Sequence, residues 1–305
     1  MANPITGTLN RTVATYPYPG HGAEFSAGNP GNCIVDSTND IVYFTLFWDF
    51  FASDWTILCK YVYSTNTLST FATLSLSSPA YAGGCLPITF NADETKIIAA
   101  CPESAGGTRF YEILTSNGTV TDLGLITGIE PIQMLRFDST LGYVGKQWQS
   151  KDFYSINLTS MTASVFLTLP YFCSSFDIDS DFIYTNQGLD VTGTGPLVRL
   201  HRNKGYLMEF LMGASASTTA MASDNPDYAS FTSTVLDIIS RGNSVYIVHY
   251  YSGAYWLIVY NKTTRAVKTI LTPLPYTSQL RNLGVSPDGA KVFTNLKFSG
   301  ISIYT

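Results

Sequence analysis

The sequence predicts an all-β fold, one domain of six four-stranded units closed into a ring. Three observations predict it. A strand–turn–strand phrase recurs along the 305 residues at spacings of roughly 40 to 60. No apolar pattern of helical period runs for a normal helix length. The two ends are incomplete in complementary ways: the last unit stops one strand short, and the N-terminus holds a strand with no unit of its own.

The clearest copy of the phrase is residues 284–293, G-V-S-P-D-G-A-K-V-F. Val285 ends one strand, and Pro287 pre-sets φ for the first corner of a turn. Asp288 tolerates the second corner, Gly289 supplies the positive φ that returns the chain, and Val292 and Phe293 open the next strand.

In chain order, residues 6–15 are a polar, β-branched strand and 16–31 a Pro/Gly loop. The first unit, 32–74, contains 41–48, apolar on both faces and so buried on both. The second is 85–126, with turns at 91–95 and 116–118. The third is 132–169 and the fourth 172–212. Residues 213–230, rich in Ala, Ser and Thr, interrupt the period and read either as a packed loop or as a contact segment. The fifth unit is 233–274 and the sixth 280–305. Pairing 6–15 with 300–304 completes the sixth unit and removes an open sheet edge that would invite aggregation.

This pattern resembles a six-bladed β-propeller. The stretch 286–293, S-P-D-G-A-K-V-F, is similar to the blade phrase of the YVTN, lactonase-like and NHL-like propellers. Degraded versions stand at 91–97, N-A-D-E-T-K-I, and 138–144, D-S-T-L-G-Y-V. The resemblance covers the chain as a period and implies architecture rather than one family. WD40 propellers are less similar: Gly20-His21 and Trp48-Asp49 occur once each, and no Gly-His…Trp-Asp pairing recurs from unit to unit.

Composition sets bounds on function. Hydrophobic residues make up 45% and charged residues 13%, about half the usual charged share. Ser, Thr, Asn, Gly and Tyr therefore build the polar surface, a composition that points to an extracellular or virion surface. A cytoplasmic site stays open. The net charge of −5, with no basic run, argues against nucleic acid. No basic n-region with an apolar h-region opens the chain, and no apolar run reaches membrane-spanning length. Of the five cysteines, none forms C-x-x-C, and they read as small buried hydrophobes, with a disulfide as the competitor.

No motif declares a chemistry. There is no G-x-S-x-G elbow, P-loop or H-E-x-x-H. His21, His201 and His249 stand apart. The resemblance to lactonase-type propellers implies an alternative: an enzyme holding Ca²⁺ or another divalent ion in the central channel on hard oxygen ligands. Residues available there are Glu24, Asn32, Glu130, Asp177, Asp237 and Asn282. They match no ligand pattern and are read first as turn residues and strand-end caps. No catalytic residue, resident metal or cofactor is therefore assigned.

Two kinds of contact site remain. Residues 46–55, L-F-W-D-F-F-A-S-D-W, place Phe47, Trp48, Phe50, Phe51 and Trp55 around one hairpin tip. That tip is either an adhesive patch or core capped by a neighbouring blade. Asn-x-Ser/Thr sequons at Asn10, Asn117, Asn157 and Asn261 are glycan-acceptor candidates, though no more numerous than chance supplies. The leading reading is a non-enzymatic structural or binding propeller, a subunit of a larger assembly. Its partners are other protein subunits, itself included, or glycans. The alternatives are the metal-dependent hydrolase and a lectin-like propeller whose Trp48, Trp55 and Trp148 stack on sugar rings.

Overall fold

The computed structural model describes residues 9–13, 29–48, 55–75, 86–103, 106–147, 150–186, 197–212, 234–251, 254–275, 280–296 and 300–305. Strand β1 (Leu9–Val13) comes first. The first blade is β2 (Asn29–Val35), β3 (Ile41–Trp48), β4 (Trp55–Val62) and β5 (Thr67–Ser75). The second is β6 (Ile88–Phe90), β7 (Lys96–Pro102), β8 (Thr108–Leu114) and β9 (Val120–Ile126). The third is β10 (Met134–Asp138), β11 (Gly142–Lys146), β12 (Ser150–Asn157) and β13 (Thr162–Cys173). The fourth is β14 (Phe176–Ile178), β15 (Phe182–Asn186), β16 (Leu197–His201) and β17 (Leu207–Met212). The fifth is β18 (Thr234–Arg241), β19 (Ser244–Tyr251), β20 (Ala254–Asn261) and β21 (Val267–Pro275). The sixth is β22 (Leu280–Val285), β23 (Val292–Leu296), β24 (Gly300–Tyr304) and, from the other end of the chain, β1.

Each blade is an antiparallel meander, and the first strands meet one another in a closed cycle: β2, β6, β10, β14, β18, β22 and back to β2. The protein is a six-bladed β-propeller. Leu9 pairs with Tyr304 and Val13 with Ile301, so the N-terminal strand closes the ring. Of the stretch 6–15 only Leu9–Val13 is among the described residues, and Asn29–Pro30 of β2 fall inside the stretch that reads as a Pro/Gly loop.

One turn recurs where the first strand hands over to the second. In the sixth blade the Ser286 N–H donates to Lys291 O (3.0 Å), Gly289 N–H donates to Ser286 O (2.8 Å), and Ser286 Oγ accepts the Lys291 N–H (2.9 Å). Gly289 takes φ +70°. The first and second blades repeat this with Asp36 and Asn91 at the acceptor position. Asn39 and Glu94 take the left-handed residue's place, at φ +61° and +57°. Asp138 and Asp179 accept turn N–H groups in the third and fourth blades. The fifth blade departs: its turn is two residues long, with Arg241 paired to Ser244. A short polar side chain that can bond its own turn is what this position requires.

The strands behave differently by position. Every pairing of second with third strand is regular, and every pairing of third with fourth strand carries a register shift. The outermost strands have no partner beyond them in their own sheet, and a bulge twists such an edge away from edge-to-edge pairing.

The core sits between blades. Six clusters of buried apolar side chains occur among the described residues, one at each seam. At the closing seam Phe293 and Ile303 of the sixth blade pack on Val42, Phe44 and Ile57 of the first. Cys33, Cys59, Cys101 and Cys173 are all buried in these seams or at their edges, and burial pushes the Cys59 thiol up to about 12. Cys85 lies outside the described residues.

Gly284 shows how tight the closing seam is. A Cβ there would fall 2.9 Å from Cys33 Cβ and 3.4 Å from Val35 Cγ2. Gly284→Val should therefore cost about 1–3 kcal/mol through overpacking, read as a lower denaturant midpoint at unchanged slope. The same change at exposed Gly242, whose Cβ meets nothing within 4 Å, acts only through its φ of +51°.

Candidate functional site

Strand direction gives the ring two unlike faces. First-to-second and third-to-fourth turns emerge on one face. Second-to-third hairpins and blade-to-blade connections emerge on the other. The turns of the first face are short and tied to one another. The Ser37 N–H donates to Glu94 Oε2 (2.8 Å), linking the first blade to the second. The Asp288 N–H donates to Asn39 Oδ1 (3.1 Å) and Lys291 Nζ to Asn39 O (2.9 Å), linking the sixth to the first. Within blades, the third-to-fourth turn bonds back to the first-to-second turn: Tyr63 N–H to Asp40 O, Thr115 N–H to Thr95 O, Arg202 N–H to Asp181 O and Lys262 N–H to Asn243 O.

Ion pairs carry the same stitching. Arg202, at the third-to-fourth turn of the fourth blade, clamps Asp138 of the third through Nη1 (2.8 Å) and Nη2 (2.9 Å), the fork geometry suited to a carboxylate. Burial works against the charge on Asp138. The Arg202 and amide bonds outweigh it and hold the carboxyl below its usual range. Lys262 of the fifth blade reaches Asp179 of the fourth at 2.8 Å, with the same result. Glu209 gathers Arg199 (2.7 Å), His201 (3.0 Å) and Arg265 (3.3 Å).

A further buried ionic group lies on the inner strands. Arg136 of β10 sends Nε to Asp177 Oδ1 on β14 (2.9 Å) and Nη2 to Asp237 Oδ1 on β18 (3.2 Å). Its Nη1 donates to Leu135 O. Asp177 Oδ2 accepts the Ser240 N–H at 2.6 Å, and Arg241 Nη1 lies 3.6 Å from it. Asp237 accepts the Ile238 N–H (2.9 Å) through Oδ1 and the Leu283 N–H of β22 (3.0 Å) through Oδ2. One guanidinium and two carboxylates thus join four consecutive blades. Burial pushes the Asp237 carboxyl up to about 6, against the pull of Arg136 and the two amides.

Lys146, at the end of β11, is the other deeply placed charge. Its side chain is fully buried, and its Nζ donates to Gln147 O and to Cys173 O (2.7 Å), tying the end of β11 to the end of β13 within the third blade. Burial lowers its basicity, with Cys173 and Glu130 pulling the other way. Neither Arg136 nor Lys146 has a sequence signal beyond being a lone cation inside a strand.

The structure corrects one expectation. Asp177 and Asp237 are not turn residues or caps; they are inner-strand carboxylates converging on Arg136. Glu130 is elsewhere, accepting the Ser150 hydroxyl. Among the described residues no group of three or more His, Cys, Asp or Glu is placed to hold a metal ion. Glu24, His21, Trp148 and the side chains of Asn32, Asn282 and His249 lie outside the described residues.

Of the aromatic hairpin, Phe47 and Trp48 end β3 and Trp55 begins β4, with Trp48 and Trp55 paired. Their side chains, and Phe50 and Phe51 altogether, lie outside the described residues, as do residues 213–230. The sequon asparagines are placed more fully. Asn10 sits on β1, its side chain not described. Asn117, Asn157 and Asn261 occupy third-to-fourth turns. Each Oδ1 accepts the N–H of the hydroxyl residue two positions on, Thr119, Thr159 or Thr263. Asn117 and Asn157 are exposed. Asn261 is half-buried and also accepts from Asn243 Nδ2.

Removing the guanidinium with Arg136→Met should leave two buried carboxylates unpaired and cost about 3–5 kcal/mol. Chemical denaturation checks this. A loss under 1 kcal/mol would mean that the cluster is not buried as described.

No protein-family model matches the chain, and no curated protein sequence does. Solved structures do: 898 chains match, so the architecture is widely shared and does not by itself select a function. One is a chain from the crystal structure of a nidogen/laminin complex. It is 12% identical, with a TM-score of 0.56 over 85% of this chain and 85% of that one. At that identity the likeness is one of fold: a six-bladed propeller, similar to a propeller solved within a complex of proteins.

Proposed function

We propose that this chain is a non-enzymatic binding propeller, a subunit of an extracellular or virion-type assembly that acts through protein–protein contacts. The observation that carries this reading is the fate of the buried charges. Arg136 with Asp177 and Asp237, Arg202 with Asp138, and Lys262 with Asp179 are matched to one another across blades. They are used to fasten the ring, and a catalytic group needs a partner it can release to substrate. The similar propeller solved in a nidogen/laminin complex supports binding as the work of such a fold.

The contact surface in this reading is the face opposite the tied turns. Strand β3 ends and β4 begins on that side of the ring, and in this reading Phe47, Trp48, Phe50, Phe51 and Trp55 make the contact. Aromatic residues of this kind dominate the centres of protein interfaces. No helix among the described residues is long and apolar enough to cross a membrane.

Cross-linking mass spectrometry on the native assembly tests the proposal. Cross-links from neighbouring subunits should concentrate on peptides containing residues 47–55 and be scarce on the turn face. Replacing Phe50 and Phe51 by Ser should weaken assembly with little change in the unfolding midpoint. A monodisperse monomer in its native setting, with no partner recovered, would count against the proposal. A stoichiometric divalent ion would favour the hydrolase alternative, and binding on a glycan array the lectin-like one. If the chain enters a eukaryotic secretory route, glycans should appear at Asn117 and Asn157 ahead of half-buried Asn261, measured as glycosidase-sensitive mass.

A further inference from the structure

The cluster on the inner strands holds one more carboxylate than guanidinium. Arg136 offers its Nε to Asp177 and its adjacent Nη2 to Asp237, so two carboxylates share one cation. Both are buried, at 4% and 5% exposure. The other cation near them, Arg241, is 3.6 Å from Asp177 Oδ2 and more than a third exposed, where water screens it. Strand β22 contributes the Leu283 amide, and Ser175, the residue before β14, a hydroxyl 3.5 Å from Asp237 Oδ1. Beyond Ser240, Asp179 and Lys262 neutralise each other. Like charges held this close, out of water, do not both stay ionised at low cost.

The geometry points to a proton-operated latch in the ring: the Asp177–Arg136–Asp237 cluster takes up one proton in mildly acidic surroundings, and the seams of the third to sixth blades tighten. Asp237 is the acceptor. It makes the longer bond to Arg136, 3.2 Å against 2.9 Å for Asp177, and only Asp177 has the second guanidinium nearby. A proton on Oδ1 faces Ser175 Oγ, which then accepts. Uptake leaves Arg136 balanced by Asp177 alone and removes the buried net negative charge.

The direction of the pH effect follows. Burial raises the Asp237 carboxyl to about 6 in the fold, against about 3.9 for an Asp in an unfolded chain. Between these values the folded protein holds more protons than the unfolded chain, so stability rises as pH falls. Asp138, Asp179 and Glu209 act in the opposite sense and lower down. Their carboxyls are held below the usual range, and the stability they contribute is lost only as pH falls through those lowered values.

The test is an NMR pH titration of the whole chain, following the backbone amides of Ile238 and Leu283, which donate to the Asp237 carboxylate. Both should shift together with one midpoint between about 5 and 7, and unfolding free energy should rise from pH 7.5 to pH 5. The chain also holds histidines, so His201→Asn serves as a control and should leave the two amide midpoints in place. Arg136→Gln should move the midpoint upward by about one unit or more. If that variant does not fold, the wild-type titration decides alone. Flat Ile238 and Leu283 shifts between pH 7.5 and 4.5, or stability that falls as pH is lowered from 7.5 to 5, would overturn the latch.

Discussion

The structure depends on a constraint at the ring axis. Six first strands crowd side by side there, and whatever they carry is buried against a neighbour on each side. Apolar residues satisfy this without further conditions, and most inner positions hold them. A charge satisfies it only when its partner comes from another blade, since its own strand is too short to supply one. Arg136, Asp177 and Asp237 meet that condition, and the result is a mechanical connection. The residues that make the charge tolerable also hold adjacent sheets in one relative position.

The same logic extends outward with decreasing stringency. At the turn face the partners run from buried, Arg202 with Asp138, to partly exposed, Lys262 with Asp179 and backbone amides on Glu94 and Asn39. Each bond there joins one blade to the next, and a ring has no free end at which they could unravel separately. At the rim the strands meet water, and the requirement changes from satisfying charge to discouraging strand addition. A register shift in every outermost pair meets it. With so few charged residues, bulges do the work that Lys and Glu do on other edge strands.

The fold was legible because its grammar is local. The turn at Ser286 to Gly289 needs a short polar acceptor, a corner and a residue tolerant of positive φ. Those preferences act within five residues, so Asp36 with Asn39 and Asn91 with Glu94 repeat them visibly enough to count blades. Ring closure was legible from the mismatch of the two ends. The inner cluster was not. Arg136 lies 41 residues from Asp177 and 101 from Asp237, and their meeting depends on the exact register of three separate sheets. The shift in β18 between Val235 and Asp237 decides which side chain faces Arg136, and no periodicity announces a bulge. Asp and Asn being the usual turn formers, Asp177 and Asp237 were read as caps. Asp179 and Ser240, a few places further along the chain, hold the turn positions instead.

That neighbour relation bears on function as well as on fold. In the third, fourth and fifth blades the turn residue and the inner-strand residue two or three places before it serve different masters. The first is tied to its own turn or an adjacent one, and the second to the axis. The inner-strand side chains of these blades complete one another, and the axis has become part of the fastening. A molecule fastened at its axis and along one face has the opposite face left for variation. There the second-to-third hairpins and the blade-to-blade connections begin, including the longest of them, after β17, and the aromatic one, after β3.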